Sequence, residues 1–514
     1  MEKILPFLLL LGAAFSGCSN GIYVPPEEPP SGAEVSGRFR EHLNDDFTVD
    51  LGFESHLPIV VVDTQGESFE LTRYWNSESG YAVPIPGAKL YMASVISVYD
   101  AGAALNKITD TPAYQTDAHI RLSLEPLAPF DPVEKVDYQI NLRDQGGNDK
   151  KLALLGMKSR SEWILRGNSS DGSLIRNYLA REVSKQVMHN TPDLRFCELL
   201  IKSTGGYEYR GVYTLCETVG EGEGLLDLDG NLPPFRKKLE RVFAGSQGSV
   251  SYITWRSPYN SESIFLNTYA MNEGFADNGF ELIYPFKELS RNDLEKIEEN
   301  ISQAEQVLYS DIPVVYVNYP KYIDVDFFVD YFIINEYFMN YRIGYSGVYI
   351  YKSPYGKIRV GVLNDNLSSF DNDKNLSADP GRTMFAETPW FIRFIRDKAF
   401  LQKLESRYSL LKRGVLSDVN MISLVDGIAE FLEPAAERDW YRWGENYSSG
   451  SFSAELIKIK YMMVRHNAVI GDAIRRMGWE ENLMDSSYSN LRSSLYFFGF
   501  VALFVLCVRI GRYH

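Results

Sequence analysis

The sequence predicts an α+β protein of two lobes, the first rich in strands and the second in helices. Three observations predict it. Short β-branched runs fill the first 220 residues, one strongly amphipathic helix interrupts them, and long 3.6-period segments dominate after residue 276. Leu57–Asp63 and Lys89–Tyr99 read as buried strands. His119–Leu122 and Tyr138–Leu142 alternate as half-buried strands do. Asp171–Val187 places Ile175, Leu179, Val183 and Val187 on one stripe, with Asp171 as the expected cap. Leu194–Lys202 and Tyr209–Glu217 then form a hairpin about Gly205 and Gly206. Residues 51–220 are thus a β-rich lobe and 221–275 a loop-rich insertion with a short strand at Tyr252–Trp255. Residues 276–484 are a helical lobe, with helices at Ser290–Leu308 and Asp326–Tyr341, a hairpin over Gly347–Val362, and further helices between Pro389 and Met477.

Composition narrows the function. The 514 residues carry 52 Lys+Arg against 68 Asp+Glu, a net charge of −16, with 45% hydrophobic residues. That is a globular composition. The acidic excess excludes a nucleic-acid partner, whose phosphates demand a basic surface. The six His and four Cys show no zinc spacing. Oxygen-ligated Mg²⁺ or Ca²⁺ stays open. Asp324, Asp326, Asp330 and Glu336 are expected to be a solvated helix face plus a cap rather than a metal cage. Gly220–Gly224 is glycine-rich but acidic, so it reads as a loop that would repel phosphate.

The two ends predict an envelope location. Residues 1–18 have the charged start, apolar run and small-residue end of a secretory signal, and Phe15–Cys18 is similar to a bacterial lipobox, so Cys18 is the expected lipidation site. Residues 19–50 read as a Pro-rich linker and 485–494 as a polar spacer. Residues 495–510 read as a short membrane helix flanked by Arg492 and Arg512. The intervening chain would face outward, lipid-anchored and/or single-pass. Outside the cytoplasm Cys197 and Cys216 could pair across the hairpin, although two buried free thiols are the favoured reading.

No P-loop, nucleophile elbow or dinucleotide fingerprint is present. Several longer segments do carry a resemblance. Trp163–Ala180 is similar to the "W-x-L-x-G…D-K-x-x-I-R-N-Y" segment of the CotH (spore-coat protein H) kinase family. Arg210–Glu217 resembles its "G-x-Y-x-L-x-E" strand, Tyr322–Asn340 its central helix, and Tyr349–Lys352 with Val360–Asn372 its following strands. The resemblance spans roughly residues 55–445. It implies a bilobal, atypical protein-kinase-like fold, and an activity that transfers the γ-phosphoryl of ATP, with Mg²⁺, to Ser/Thr of secreted or envelope proteins.

The family's motifs are incompletely kept. Its phosphate-facing "R-G-x-S-S" turn becomes Ser123–Ala128, in which Glu125 would repel phosphate. Lys135 stands near the family's phosphate-binding lysine, and Gly172 replaces the Lys after Asp171. Arg342 occupies the position of the catalytic Asp, where a cation cannot accept a hydroxyl proton. Asp365 is the one carboxylate left of the metal-binding pair. Glu217, Arg176 and Asn177 are kept as nucleotide-site candidates, yet each also suits a structural role. The expected protein is therefore a kinase-fold scaffold that has lost efficient phosphoryl transfer. The alternatives are an active kinase using Asp371 or Asp373 as base, and an aromatic-rich glycan- or protein-binding module.

Overall fold

The computed structural model describes residues 39–70, 72–76, 81–102, 104–123, 135–188, 191–218, 251–255, 264–275, 280–284, 290–341, 348–352, 356–361, 366–372, 377–479 and 483–486. The signal, Cys18, most of the linker, the spacer beyond Ser486 and the 495–510 segment lie outside them. Among the described residues no helix is long and apolar enough to cross a membrane.

Eight strands build the main sheet: β1 (Thr48–Val49), β2 (Ile59–Asp63), β3 (Met92–Tyr99), β4 (Tyr114–Ser123), β5 (Asp137–Arg143), β6 (Glu162–Arg166), β7 (Leu194–Ser203) and β8 (Gly206–Glu217). Their order is β1-β8-β6-β5-β4-β3-β2-β7, and β7 also pairs with β8. Seven of the strands therefore close into a barrel, with β1 appended. All pairings are antiparallel except β2 with β7. Closure removes the exposed strand edges that an open sheet would have to protect. Alternate residues fill the interior: Val60 and Val62, Ile96 and Val98, Ile120 and Leu122, Ile140 and Leu142, Trp163 and Leu165, Leu199 and Ile201, Tyr213 and Leu215.

That period of two settles the cysteines. Cys197 belongs to the inward set, while Cys216 shares the opposite parity to Tyr213 and Leu215 and points out of the barrel. The hairpin turns at Thr204–Gly205, one step earlier than expected, and pairs Cys197 with Tyr213 and Cys216 with Leu194. Both thiols are free and buried. Burial pushes both above the ordinary thiol value. Thiol reagents at pH 8 are expected to leave Cys197 and Cys216 unmodified until denaturant is added, as read by peptide mass mapping. Modification in the folded state would contradict the barrel.

The second sheet joins β9 (Ser251–Trp255), β10 (Ile264–Leu266), β11 (Phe280–Tyr284), β12 (Val348–Lys352) and β13 (Arg359–Val360) in the order β10-β11-β9-β12-β13. The described part of 221–275 thus supplies two of its strands. The long helices are α1 (Arg176–Val187), α2 (Arg291–Leu308), α3 (Val325–Tyr337), α4 (Lys398–Lys412), α5 (Asp418–Trp443) and α6 (Phe452–Met477). Ser290 caps α2 by accepting from the Asp293 N–H, as its sequence predicts. Helix α3 is buried nearly all round, and Phe328, Tyr331 and Phe332 interlock with Trp390, Phe391 and Phe394. A single core runs from α3 through α1 to Phe196 and Val212 on the outside of the barrel.

Two local expectations are corrected. Helix α1 starts at Arg176, with Ile175 at the cap and no side-chain cap bond. Asp171 instead closes the preceding turn, accepting from the Ser173 N–H (3.0 Å) and the Arg176 N–H (3.0 Å). The acidic set on α3 is not simply solvated. Asp324, Asp326 and Asp330 pair with Arg359, Lys403 and Arg407. Glu336 is wholly buried against His466 at 3.0 Å and accepts from the Phe385 N–H.

Candidate functional site

Three buried polar clusters lie where the β6–α1 turn, the end of α3 and residues 366–372 meet α5 and α6. Backbone strain marks the same seam. Asn168, Leu174, Met339, Phe370 and Asp371 all take positive φ, between 52° and 61°. Such outliers persist only where surrounding structure holds them, and functional sites are where they concentrate.

The first cluster surrounds Lys135, just ahead of β5. Its ammonium is 2.5 Å from Asp439 Oδ2 and donates to the Tyr447 hydroxyl at 3.1 Å. Tyr447 donates in turn to Asp439 Oδ1 at 2.6 Å, and the Val212 N–H to Oδ2 at 2.7 Å. The Tyr213 ring covers another side. Lys135 and Asp439 are 2% and 0% exposed. Burial pulls the Lys135 ammonium below the usual lysine range, against the opposing pull of Asp439. Burial and the neighbouring Asp439 push the Tyr447 phenol well up. Helix α5 reaches this depth because β8 bulges at Gly211, whose φ is +101° and whose added Cβ would lie 2.4 Å from Asp439 Oδ2.

The second cluster centres on Arg176. Its guanidinium meets Asp171 at 2.5 Å and Glu455 of α6 at 2.9 Å, and its Nε donates to the Ser369 carbonyl at 2.9 Å. One cation thereby ties the β6–α1 turn, residues 366–372 and α6. Burial works against its charge, but the two carboxylates outweigh burial and hold Arg176 above its ordinary value. Burial would raise Glu455, and Arg176 overrides it and holds that carboxylate low.

The third cluster is amide-based. Asn177 donates to Asn168 at 3.0 Å and accepts from the Asn366 N–H at 2.6 Å. Asn340 donates to Asn366 Oδ1 at 3.0 Å and accepts from Ser368 at 2.8 Å. Asn366 follows Asp365 in the chain, so Asn177 fixes the backbone beside the expected metal ligand.

The sequence candidates therefore separate. Lys135, Arg176 and Asn177 gather along this seam. Glu217 does not join Lys135; its carboxylate accepts from the Lys158 and Asp193 N–H groups. Arg342, Asp365 and Asp373 lie outside the described residues, as does the Leu124–Ala128 stretch with Glu125. Asp371 is placed, with Oδ1 accepting from the Ala378 N–H at 3.0 Å and Lys458 3.7 Å from Oδ2. Among the described residues no three His, Cys, Asp or Glu come together as a metal site. Sequence reasoning missed Asp439, Tyr447 and Glu455. They sit about 300 residues from their partners, and no local pattern announces such a pairing.

The surroundings of Lys135 and Gly172 do not fit a nucleotide's triphosphate. A phosphate-binding lysine must present its ammonium to the ligand, whereas that of Lys135 is enclosed beneath Tyr213 and Tyr447. At Gly172 a side chain would meet Trp440 Cζ2 at 3.0 Å and Tyr447 Cβ at 3.0 Å, while Trp440 Nε1 donates to the Gly172 carbonyl. The space for the family's second lysine is filled by rings.

The large sheet, the helices that follow it and the buried polar seam between them define a kinase-like α+β protein. A family model described as CotH kinase protein matches residues 131–468, well over half of the chain. The chain belongs to the CotH kinase family. The match begins after β4, so the start of the resemblance, read from about residue 55, falls ahead of it although β2 is integral to the barrel. No curated protein matches the chain.

Proposed function

We propose that this CotH-family protein is a bilobal, atypical kinase-fold scaffold of the cell envelope that no longer transfers phosphoryl groups efficiently. The observation that carries the reading is the closed Lys135–Asp439–Tyr447 cluster, which spends the phosphate-binding cation on the fold. Gly172 beneath Trp440 points the same way, as does the guanidinium of Arg342 at the position of the family's base. Anchoring is by a lipid on Cys18 and a membrane helix over 495–510, with the folded part on the extracytoplasmic face. Its partner is a secreted or envelope protein, not nucleic acid. A glycan-binding surface has less support, because the aromatic excess goes largely into the core, Trp163, Trp390, Tyr209, Tyr331 and Tyr337 included.

ATP and Mg²⁺ titrated calorimetrically into the detergent-solubilised full chain are expected to give no saturable heat, and radiolabelled ATP no transfer to casein or to the chain itself. Binding with transfer would select the competing reading, an active Ser/Thr protein kinase. One feature favours that alternative: the Asp371 carboxylate is about one-third exposed, held at positive φ beside Lys458. Were transfer observed, Asp371→Asn should lower it about 10²–10⁴-fold if Asp371 is the base. An unchanged rate would exclude Asp371.

A further inference from the structure

We propose that the corner of the helical region where the described chain ends lies flat against the lipid bilayer, with Ile312, Val314, Val315, Ile392 and Trp479 as its contact residues. The inference rests on the membrane-anchoring reading of residues 495–510 and adds which face that anchor presents.

The chain leaves the fold at a rigid point. Met484 N–H donates to the Arg396 carbonyl and Lys398 N–H to the Met484 carbonyl, both at 2.8 Å. Ser486 N–H donates to Asp397 Oδ1 at 2.9 Å, and the Tyr319 hydroxyl to Oδ2 of the same residue at 2.7 Å. From Ser486 to Leu495 the chain can span at most about 30 Å fully extended, whereas Cys18 to Phe39 can span about 70 Å. The short tether, not the long one, fixes which side of the molecule the membrane meets.

The surface beside that exit is apolar where most of the protein is acidic. Ile312 is 59% exposed, Val314 58% and Ile392 45%. They share one neighbourhood. Arg393, next to Ile392, donates to the Leu308 and Ser310 carbonyls, and the Tyr316 hydroxyl donates to the Arg393 carbonyl at 2.6 Å. Trp479, just past α6 and a few residues ahead of Met484, is 78% exposed. An indole at a bilayer surface is favoured because its ring is apolar and its N–H polar. At the tip Asp311 is shared by Arg393 and Arg396 at 3.3 and 3.2 Å.

The test reconstitutes the full chain into phosphatidylcholine–phosphatidylglycerol vesicles with brominated acyl chains and compares it with Trp479→Phe. The expected result is that the emission lost in Trp479→Phe is quenched by the brominated lipid and shielded from aqueous acrylamide. A double variant, Ile312→Asp with Val314→Asp, should reverse both effects while leaving vesicle flotation intact. Vesicle-bound protein whose Trp479 emission is open to acrylamide and insensitive to bromine overturns the orientation but not the anchoring. Shielding from both quenchers, with a doubled mass on gel filtration, would make the corner an interface between copies and also overturn it. Failure to float overturns the anchoring reading, and this inference with it.

Discussion

Asp439→Ala is expected to destabilise the protein by about 3–5 kcal/mol, the cost of leaving a buried charge without its partner. The variant strands the Lys135 ammonium in a site it cannot leave, since Gly167 packs on the Lys135 backbone and Tyr213 and Tyr447 cover the side chain. It also removes the acceptor of the Val212 N–H at the Gly211 bulge. The double variant Lys135→Met with Asp439→Leu should recover most of the loss, because replacing both members of a buried pair by apolar groups of similar size is often neutral or better. Urea denaturation at pH 7 reads both. An Asp439→Ala protein within about 1 kcal/mol of wild type would mean that Lys135 reaches water or another anion. The phosphate-binding role of that lysine would then return.

Legibility in the sequence followed the range of the interaction that decides each feature. Helix α1 could be read because Ile175, Leu179, Val183 and Val187 are all buried on one stripe, and one helical period suffices to show it. The β7–β8 hairpin could be read because its turn is local. Barrel closure could not, because β2 meets β7 in parallel about 140 residues away, and nothing in Ile59–Asp63 names its partner. The acidic positions of α3 show the same limit. Asp326 and Asp330 are surface ion pairs, near to what composition suggests, yet Glu336 is buried where the Phe385 N–H and the Tyr341 hydroxyl donate to it and His466 arrives from α6 with Nε2 facing its carboxylate.

The site divides along that line too. Arg176 and Asn177 sit in a recognisable segment, so their place at the seam was foreseeable. Their partners Glu455 and Asn366, and the Asp439 that holds Lys135, come from elements whose approach depends on tertiary packing. Family motifs therefore located the seam, while the contacts that enclose Lys135 emerged only from packing.

The second large effect concerns Arg438, which bonds Glu198 through Nε at 2.9 Å and Nη2 at 2.6 Å, inside the α5–β7 contact. Glu198 also accepts from the Tyr209 hydroxyl at 2.6 Å. Burial alone would raise this carboxylate, and Arg438 with the hydrogen bonds pulls it below the ordinary glutamate value of 4.5. In the wild type its contribution to stability is therefore complete above 4.5 and is lost as pH falls through the lower, folded-state value. Arg438→Met leaves only the burial and the hydrogen bonds, so the carboxyl is pushed up and folding favours its protonated form. Its contribution then has the opposite sign: present at low pH and lost as pH rises through the raised value. The variant should be about 3–5 kcal/mol less stable than wild type at pH 7. The gap should begin to narrow as pH falls through the variant's raised value and go on narrowing below 4.5 as the wild type loses its own contribution, because a neutral Glu198 no longer needs the guanidinium. Denaturation series at closely spaced pH values measure the gap directly. A gap that stays constant from neutral to acid would show that Arg438 acts through its contacts with Phe39 and Phe53 rather than through the charge of Glu198.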